Sequence, residues 1–423
     1  METRKDTPSM LSPYRALDLT DERGQFAGKL LGDMGADVIK VEPPGGDPAR
    51  RIGPFFQDKP GPERSIWWWA YNSNKRGITL NLEQTAGRDL FKRLAARSDV
   101  VLESFPPGYL DSLGVGYPAL GQVNKGLVFC SITPFGQTGP WRDYATGDFI
   151  SHALSGNLYM TGDPKRPPLT CQMPTTYYHA CADAVAGILS ALWYKEATGE
   201  GQYVDVSIHE CMAALHPQNV VEYLLAGRNG KRGGAESIRE TPTGPVRQRD
   251  IWPCKDGFVA FSIRGGPSRL PALKRLVKWM EEEEGAPTGP LSDMDWASYN
   301  PNVMSQGDVD SVNMPFGKFF LTKTATELYE EAVKRLLILA PVYSPREIAG
   351  DKQLEARGFF QKVEHPELGA SFKYPGGFVQ SSETSIGIRR RSPLIGEHNE
   401  DVYSGELGLN VGQLSSLKIA GVI

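Results

Sequence analysis

The chain has 423 residues, with 46 lysines and arginines against 50 aspartates and glutamates, for a net charge of −4. At roughly 150 residues per domain it holds two or three domains with room for a sizeable core, and 40% apolar with 23% charged residues excludes disorder as the dominant state. No sustained basic stripe is present, which argues against a dedicated nucleic-acid binder.

The first ten residues, METRKDTPSM, are charged and polar and lack the pattern of a secretory leader. Strands are expected at 14–19 and 37–42, with a helix at 25–34 between them. A strand at 77–82, a helix at 85–96 and strands at 99–103 and 127–132 continue the alternation. This order predicts an α/β fold with a mostly parallel sheet covered by helices. Loops at 43–48, 60–62, 106–108 and 136–140 are rich in Gly and Pro, the kind of segment that often carries ligand contacts. An apolar helix at 180–194, interrupted by Asp183 and too short for a bilayer, leads into a strand at 203–208, so no membrane insertion is expected. After Arg228 the composition shifts to glycine, proline and charge, which places a domain boundary there. Residues 229–340, with a strand at 258–263 and amphipathic helices at 270–279 and 326–339, are expected to form a smaller domain. The acidic run 281–284 reads as a solvated helix end.

Chemical signals from the residues alone are sparse. Cys130, Cys171, Cys181, Cys211 and Cys254 are odd in number and form no CxxC pair, so they are read as reduced thiols of a cytoplasmic protein. The six histidines do not fall at metal-ligand spacing, and no metal is expected. His152 is either a general base or a packed histidine. Asn74-Lys75-Arg76 places two cations at a strand entrance, either a phosphate site or an exposed turn. Trp67-Trp68-Trp69, followed by Tyr71, cannot all face one core; at least one indole is expected to be exposed, at an interface or over a flat ligand, with simple packing as the alternative. No GxSxG, GxxxxGK[ST] or GxGxxG occurs, which removes the main support for a serine hydrolase, a P-loop NTPase or a nicotinamide-binding fold.

A set of separately placed motifs says more. GDMGADVIKVEPPGGDPAR (32–50), Asn74-Lys75-Arg76, ESFPPG (103–108), SITPFGQTGP (131–140), Gly156, TGEGQYVDVS (198–207), HPELG (365–369) and SPLIGEHNEDVYSGELGL (392–409) follow one another along nearly the whole chain. In this order they resemble the family III CoA-transferases, also called the carnitine/bile-acid CoA-transferase family. The resemblance implies a Rossmann-like large α/β domain built from both chain ends (1–228 and 341–423), a smaller α+β domain (229–340), and two chains threaded through each other as an interlocked dimer. It implies a CoA thioester as substrate rather than a tightly bound cofactor, with CoA contacts from Asn74, Lys75, Arg76, Phe105 and Phe135. In the family an aspartate attacks the acyl-CoA to give a mixed anhydride and CoA thiolate. The thiolate returns to form an enzyme–CoA thioester, from which the acceptor acid takes CoA.

The chain departs from the pattern at that aspartate. The family position lies nine residues after Pro168 and ten before Gly187, and both counts arrive at Tyr177. Asp183 is six residues on, about 600° along a helix and hence about 120° from the original face. A phenol, with an ordinary pKa near 10, is a poor nucleophile for this cycle. The loop Asp21-Glu22-Arg23-Gly24-Gln25 carries bulky charges where the family has small or apolar residues. Ser104 and Ser112 stand where some members have Asn and Arg. No triple-glycine loop appears, Thr241-Pro242-Thr243-Gly244 and Gly265-Gly266 being the closest approximations. Related racemases carry His-Asp where this chain has Gly147-Asp148, so racemase activity is not expected. The resemblance therefore implies a non-catalytic subunit, paired in an interlocked heterodimer with an aspartate-bearing catalytic paralogue and serving an acyl-CoA and a carboxylic acid. Two rivals are an active homodimer using Asp148, Asp183 or Glu22, and a CoA-ester binding protein without transfer activity.

Overall fold

The computed structural model describes residues 9–264, 269–283, 285–286 and 288–423; the Gly265-Gly266 pair lies outside them. In chain order the α/β part runs β1 (Arg15–Leu19), α1 (Gln25–Asp33), β2 (Asp37–Glu42), α2 (Ile66–Tyr71), β3 (Lys75–Thr79), α3 (Thr85–Ala95) and β4 (Val100–Glu103). It continues with α4 (Tyr109–Ser112), α5 (Tyr117–Val123), β5 (Val128–Thr133), α6 (Asp148–Leu154), α7 (Asn157–Met160), α8 (Thr175–Thr198) and β6 (Tyr203–Ser207). The six strands form one parallel sheet in the order β3-β2-β1-β4-β5-β6. β4 (VVLE) and β5 (VFCSIT) are buried at every position, as strands covered on both faces must be.

Two apolar cores sandwich the sheet. On one face Ala27 and Leu31 of α1 and Ala180 and Ile188 of α8 pack with Val38, Leu102 and Val128. On the other, Phe91 and Leu94 of α3 pack with Leu17, Ile39 and Val101, joined by Tyr403, Val422 and Ile423 from the end of the chain. The returning segment is fastened by hydrogen bonds as well: Tyr403 Oη donates to the Thr79 carbonyl at 2.7 Å and Asn399 Nδ2 to Thr79 Oγ1 at 2.8 Å. Both chain ends thus complete one unit.

The chain folds into two compact units. The first unit runs to Ser155, takes up Cys171–Pro217 and closes with Lys352–Ile423; the second comprises Gly156–Thr170 and Gln218–Asp351. The second has its own core around Trp252, Phe261, Trp279 and Phe316, built on a three-stranded antiparallel sheet of Ile251–Pro253, Phe258–Phe261 and Leu339–Pro341 and three helices, Leu270–Glu282, Gln306–Phe320 and Ala325–Arg335. The excursion 156–170 belongs there because the Arg232 side chain donates to the carbonyls of Asp163 and Arg166, at 3.1 and 2.9 Å.

Several expected boundaries move, each for a physical reason. α8 starts at Thr175, five residues before the expected start, because Asp148 caps its first turn. The helix expected to reach 339 stops at Arg335, where Leu336 turns left-handed at φ 54°. β3 begins at Lys75, so Lys75 and Arg76 lie within a strand rather than before one. None of the three indoles is exposed. They sit on α2, where successive residues turn about 100° and so spread to three sides. Trp68 Nε1 donates to the Pro393 carbonyl at 3.1 Å beneath the Arg50 guanidinium, Trp69 packs against His365 and Phe372, and Trp67 lies half-buried on Tyr71. The C-terminal segment supplies the cover that the local sequence could not foretell. Among the described residues no helix is long and apolar enough to cross a membrane.

Candidate functional site

The strand order reverses between β1 and β4, so the loops leaving these two strands part at their C-terminal ends and open the crevice where doubly wound sheets bind ligands. Here that crevice is bridged by the chain's own side chains. The Asp21 N–H donates to Ser104 Oγ at 2.9 Å, and Ser104 Oγ donates back to Asp21 Oδ1 at 2.8 Å. Arg23 Nε donates to both oxygens of the same carboxylate, at 2.9 and 3.0 Å. The Asp21 and Arg23 charges therefore neutralise one another, leaving that of Glu22, and Ser104 is a latch between the two loops.

Tyr177 stands beside this loop at the start of α8. It is 8% exposed, and burial, reinforced by the nearby Glu22 carboxylate, pushes its phenol up to about 12. Its hydroxyl oxygen accepts the Asp148 N–H at 3.0 Å, an amide of the first turn of α6 that has no partner within its own helix. Asp148 returns the favour: its Oδ1 accepts from the Thr176 N–H at 3.1 Å and Thr176 Oγ1 at 2.6 Å, closing the first turn of α8. The two helices cap each other. The Asp148 Oδ1 is thereby committed to the α8 N-terminus rather than free in the crevice. His152 is packed, not poised: it is 5% exposed, with Nε2 at 2.8 Å from Thr175 Oγ1 and 3.7 Å from Asp148. Asp183 is exposed on α8, and Glu22 is the partly buried acid whose charge bears on Tyr177, its own carboxyl raised by burial and by Asp21.

Next to the crevice, a cavity of about 290 Å3 lies against β4 and β5, lined among others by Glu103, Tyr109, Asp111, Ser131, Arg142 and Tyr203. Glu103, buried at the end of β4, accepts the Phe105 N–H at 2.6 Å. Burial raises its carboxyl to about 7, against the opposing pull of Ser131 and of that amide. The Phe105 ring rests on Tyr109, centroids 4.8 Å apart. Phe135 follows β5 and packs with Trp141, Tyr144 and His209. Glu103 was not singled out from the sequence; an acid closing an all-apolar strand was the available signal.

Asn74, Lys75 and Arg76 are not brought to that cavity. Lys75 pairs at the level of Val38, which through Ala16 is the level of Val100, three residues or about 10 Å below Glu103 along the strands. The Lys75 ammonium is wholly buried and spends its three protons on Asp18 Oδ2, the Gln25 carbonyl and Asn72 Oδ1, at 2.7, 2.8 and 2.8 Å. Burial lowers its pKa to about 8 despite Asp18. No proton is left for a ligand phosphate. Arg76 clasps Asp37 and Glu406, at 2.7 and 2.6 Å. Asn74 Nδ2 donates to Asp33 Oδ1 and the Gly387 carbonyl, at 2.7 and 2.8 Å.

Against known proteins, the profile of CoA-transferase family III matches residues 11–399. The chain is 34% identical over 414 residues to succinyl-CoA:(R)-benzylsuccinate CoA-transferase subunit BbsE of Thauera aromatica, covering 97% of this chain and 98% of that one. It is 33% identical to succinyl-CoA–D-citramalate CoA-transferase of Chloroflexus aurantiacus, covering 98% of each. Among solved structures, a CAIB/BAIF family protein from Brucella suis superposes with a TM-score of 0.78 at 26% identity, covering 94% of this chain and 99% of that one.

Proposed function

The chain belongs to CoA-transferase family III, and from that premise we propose that it is the non-catalytic subunit of a heteromeric enzyme moving CoA from an acyl-CoA such as succinyl-CoA to a carboxylic acid such as (R)-benzylsuccinate. The observation that carries this reading is the occupation of the nucleophile's position. A carboxylate there would attack the thioester carbonyl and expel CoA thiolate. Tyr177 instead presents a buried phenol that stays protonated at neutral pH and is engaged in capping α6. Asp148 is engaged in the converse cap, and the Asp21–Arg23 pair with Ser104 spans the crevice that a thioester would enter. An aspartate-bearing paralogue in an interlocked heterodimer would carry the covalent cycle, while this chain completes the fold and walls of the shared assembly. The substrates named above extend the printed activity of the Thauera relative to this chain.

Trapping separates this reading from its rivals. The purified assembly is incubated with succinyl-CoA, quenched with hydroxylamine and digested, and every carboxylate is surveyed by mass spectrometry. A hydroxamate on the partner's aspartate and none on this chain is the expected result. A hydroxamate on Glu22, Asp148 or Asp183 would contradict it and establish this chain as an active transferase. Absence of any modified acid in both chains would favour a CoA-ester binder.

A further inference from the structure

At the opposite, N-terminal edge of the sheet lies a second cavity, of about 300 Å3, whose lining includes Asp37, Asn74, Arg76, Arg389 and Arg390. Three guanidinium groups thus border a small space with one carboxylate. That carboxylate is already shared, since Asp37 accepts from Arg76 at 2.7 and 2.9 Å and pairs with Arg15 at 2.7 Å. Arg389 hydrogen-bonds the carbonyls of Gly32 and Asp33, at the C-terminal end of α1, which uses two of its five N–H donors. Among the described residues, the Arg390 guanidinium has no hydrogen bond or ion pair. Burial first, and the neighbouring Arg390 charge with it, hold the Arg389 guanidinium below its ordinary pKa, against the opposing pull of the Asp33 carboxylate.

The backbone beneath the pair is rigidly placed. Asn74 sits at φ 63°, a left-handed conformation that asparagine tolerates better than most residues. Its side-chain carbonyl accepts the N–H groups of both Arg389 and Arg390, at 2.6 and 3.1 Å, while its amide is anchored on Asp33 and Gly387. One strained residue therefore presents two consecutive arginines to one cavity. Forked guanidinium donors on an anchored backbone are suited to a dianion with several acceptor oxygens.

We propose that this cavity is a binding site for a phosphate monoester, held by Arg389 and Arg390 and separate from the crevice at the C-terminal ends of the strands. It does not depend on the transferase reading. The test is calorimetric titration of the full-length chain, in the assembly it forms, with glycerol 3-phosphate and, for comparison, succinate. Saturable binding of glycerol 3-phosphate, weakened at least tenfold by Arg390→Gln and unchanged by Lys255→Gln in the second unit, is expected. Arg390 makes no side-chain bond that folding needs, so Arg390→Gln is expected to melt as the unaltered chain does. Absence of binding, or equal affinity in Arg390→Gln, would overturn the site. Succinate bound as tightly as glycerol 3-phosphate would overturn the assignment to phosphate. Competition by coenzyme A but not by its 3′-dephospho form would identify the monoester as that of CoA, and competition by neither would identify a free phosphorylated metabolite.

Discussion

Replacing Glu103 with glutamine tests the buried end of β4. The carboxyl is 5% exposed and accepts one backbone N–H, and burial raises its pKa from the ordinary 4.5 to about 7. A carboxyl raised on folding keeps its proton in the native state at pH values where the unfolded chain has released it. Its contribution to stability is therefore full below pH 4.5 and is lost as pH rises through 7. At about 1.4 kcal/mol per pH unit the loss amounts to about 3 kcal/mol across that window. Glutamine has nearly the same shape and no proton to release, so Glu103→Gln lacks this dependence. Urea unfolding of both proteins, followed by tryptophan fluorescence at half-unit steps from pH 5 to 8, measures the difference. The variant should gain on the parent by about 2 to 3 kcal/mol across this range, with other titrating groups cancelling in the comparison. Two stability curves that run parallel would refute the reasoning, since Glu103 would then titrate alike in the folded and unfolded chains.

Tyr177→Phe removes the acceptor for the Asp148 N–H and should cost about 1 kcal/mol in denaturant unfolding. On the proposed function it should leave the activity of the co-assembled enzyme unchanged. Lys75→Met leaves Asp18, wholly buried, without its nearest cation and should destabilise by about 3 to 5 kcal/mol; thermal melting of Lys75→Met beside Asp18→Asn/Lys75→Met checks it, the double variant recovering part of the loss. On the helix Pro217–Ala226, Leu224 and Leu225 are 73% and 83% exposed, so Leu225→Glu should weaken association with the proposed partner chain at least tenfold, read by sedimentation velocity, with the circular dichroism of the chain unaltered.

How far such features can be read from sequence depends on whether the deciding contact is local. The alternation of short apolar runs with helices located the parallel sheet because strands buried on both faces must be apolar at nearly every position. The NSNKR stretch was harder. Its polarity looks like a solvated turn, yet Asn72, Asn74 and Lys75 are all buried. The clue lay 57 residues away, in Asp18 within the apolar run of β1, since an acid buried in a sheet demands a cation. The tryptophan triplet was obscured likewise by distance: what covers it comes from His365, Phe372 and Pro393. At the crevice, the assignment of Tyr177 to the family's aspartate position rests on spacing against the family pattern alone. The mutual capping with Asp148 was not legible in the sequence, because it requires knowing that two helix N-termini meet.

A non-catalytic subunit needs a second chain for chemistry. CoA transfer from succinyl-CoA to a panel of dicarboxylic acids should be measured for this chain alone and for the chain co-expressed with an aspartate-bearing paralogue. The account predicts turnover by the pair only, abolished when the partner's aspartate is replaced by alanine. Turnover by the lone chain at a comparable rate would contradict it and make one of its own carboxylates the nucleophile.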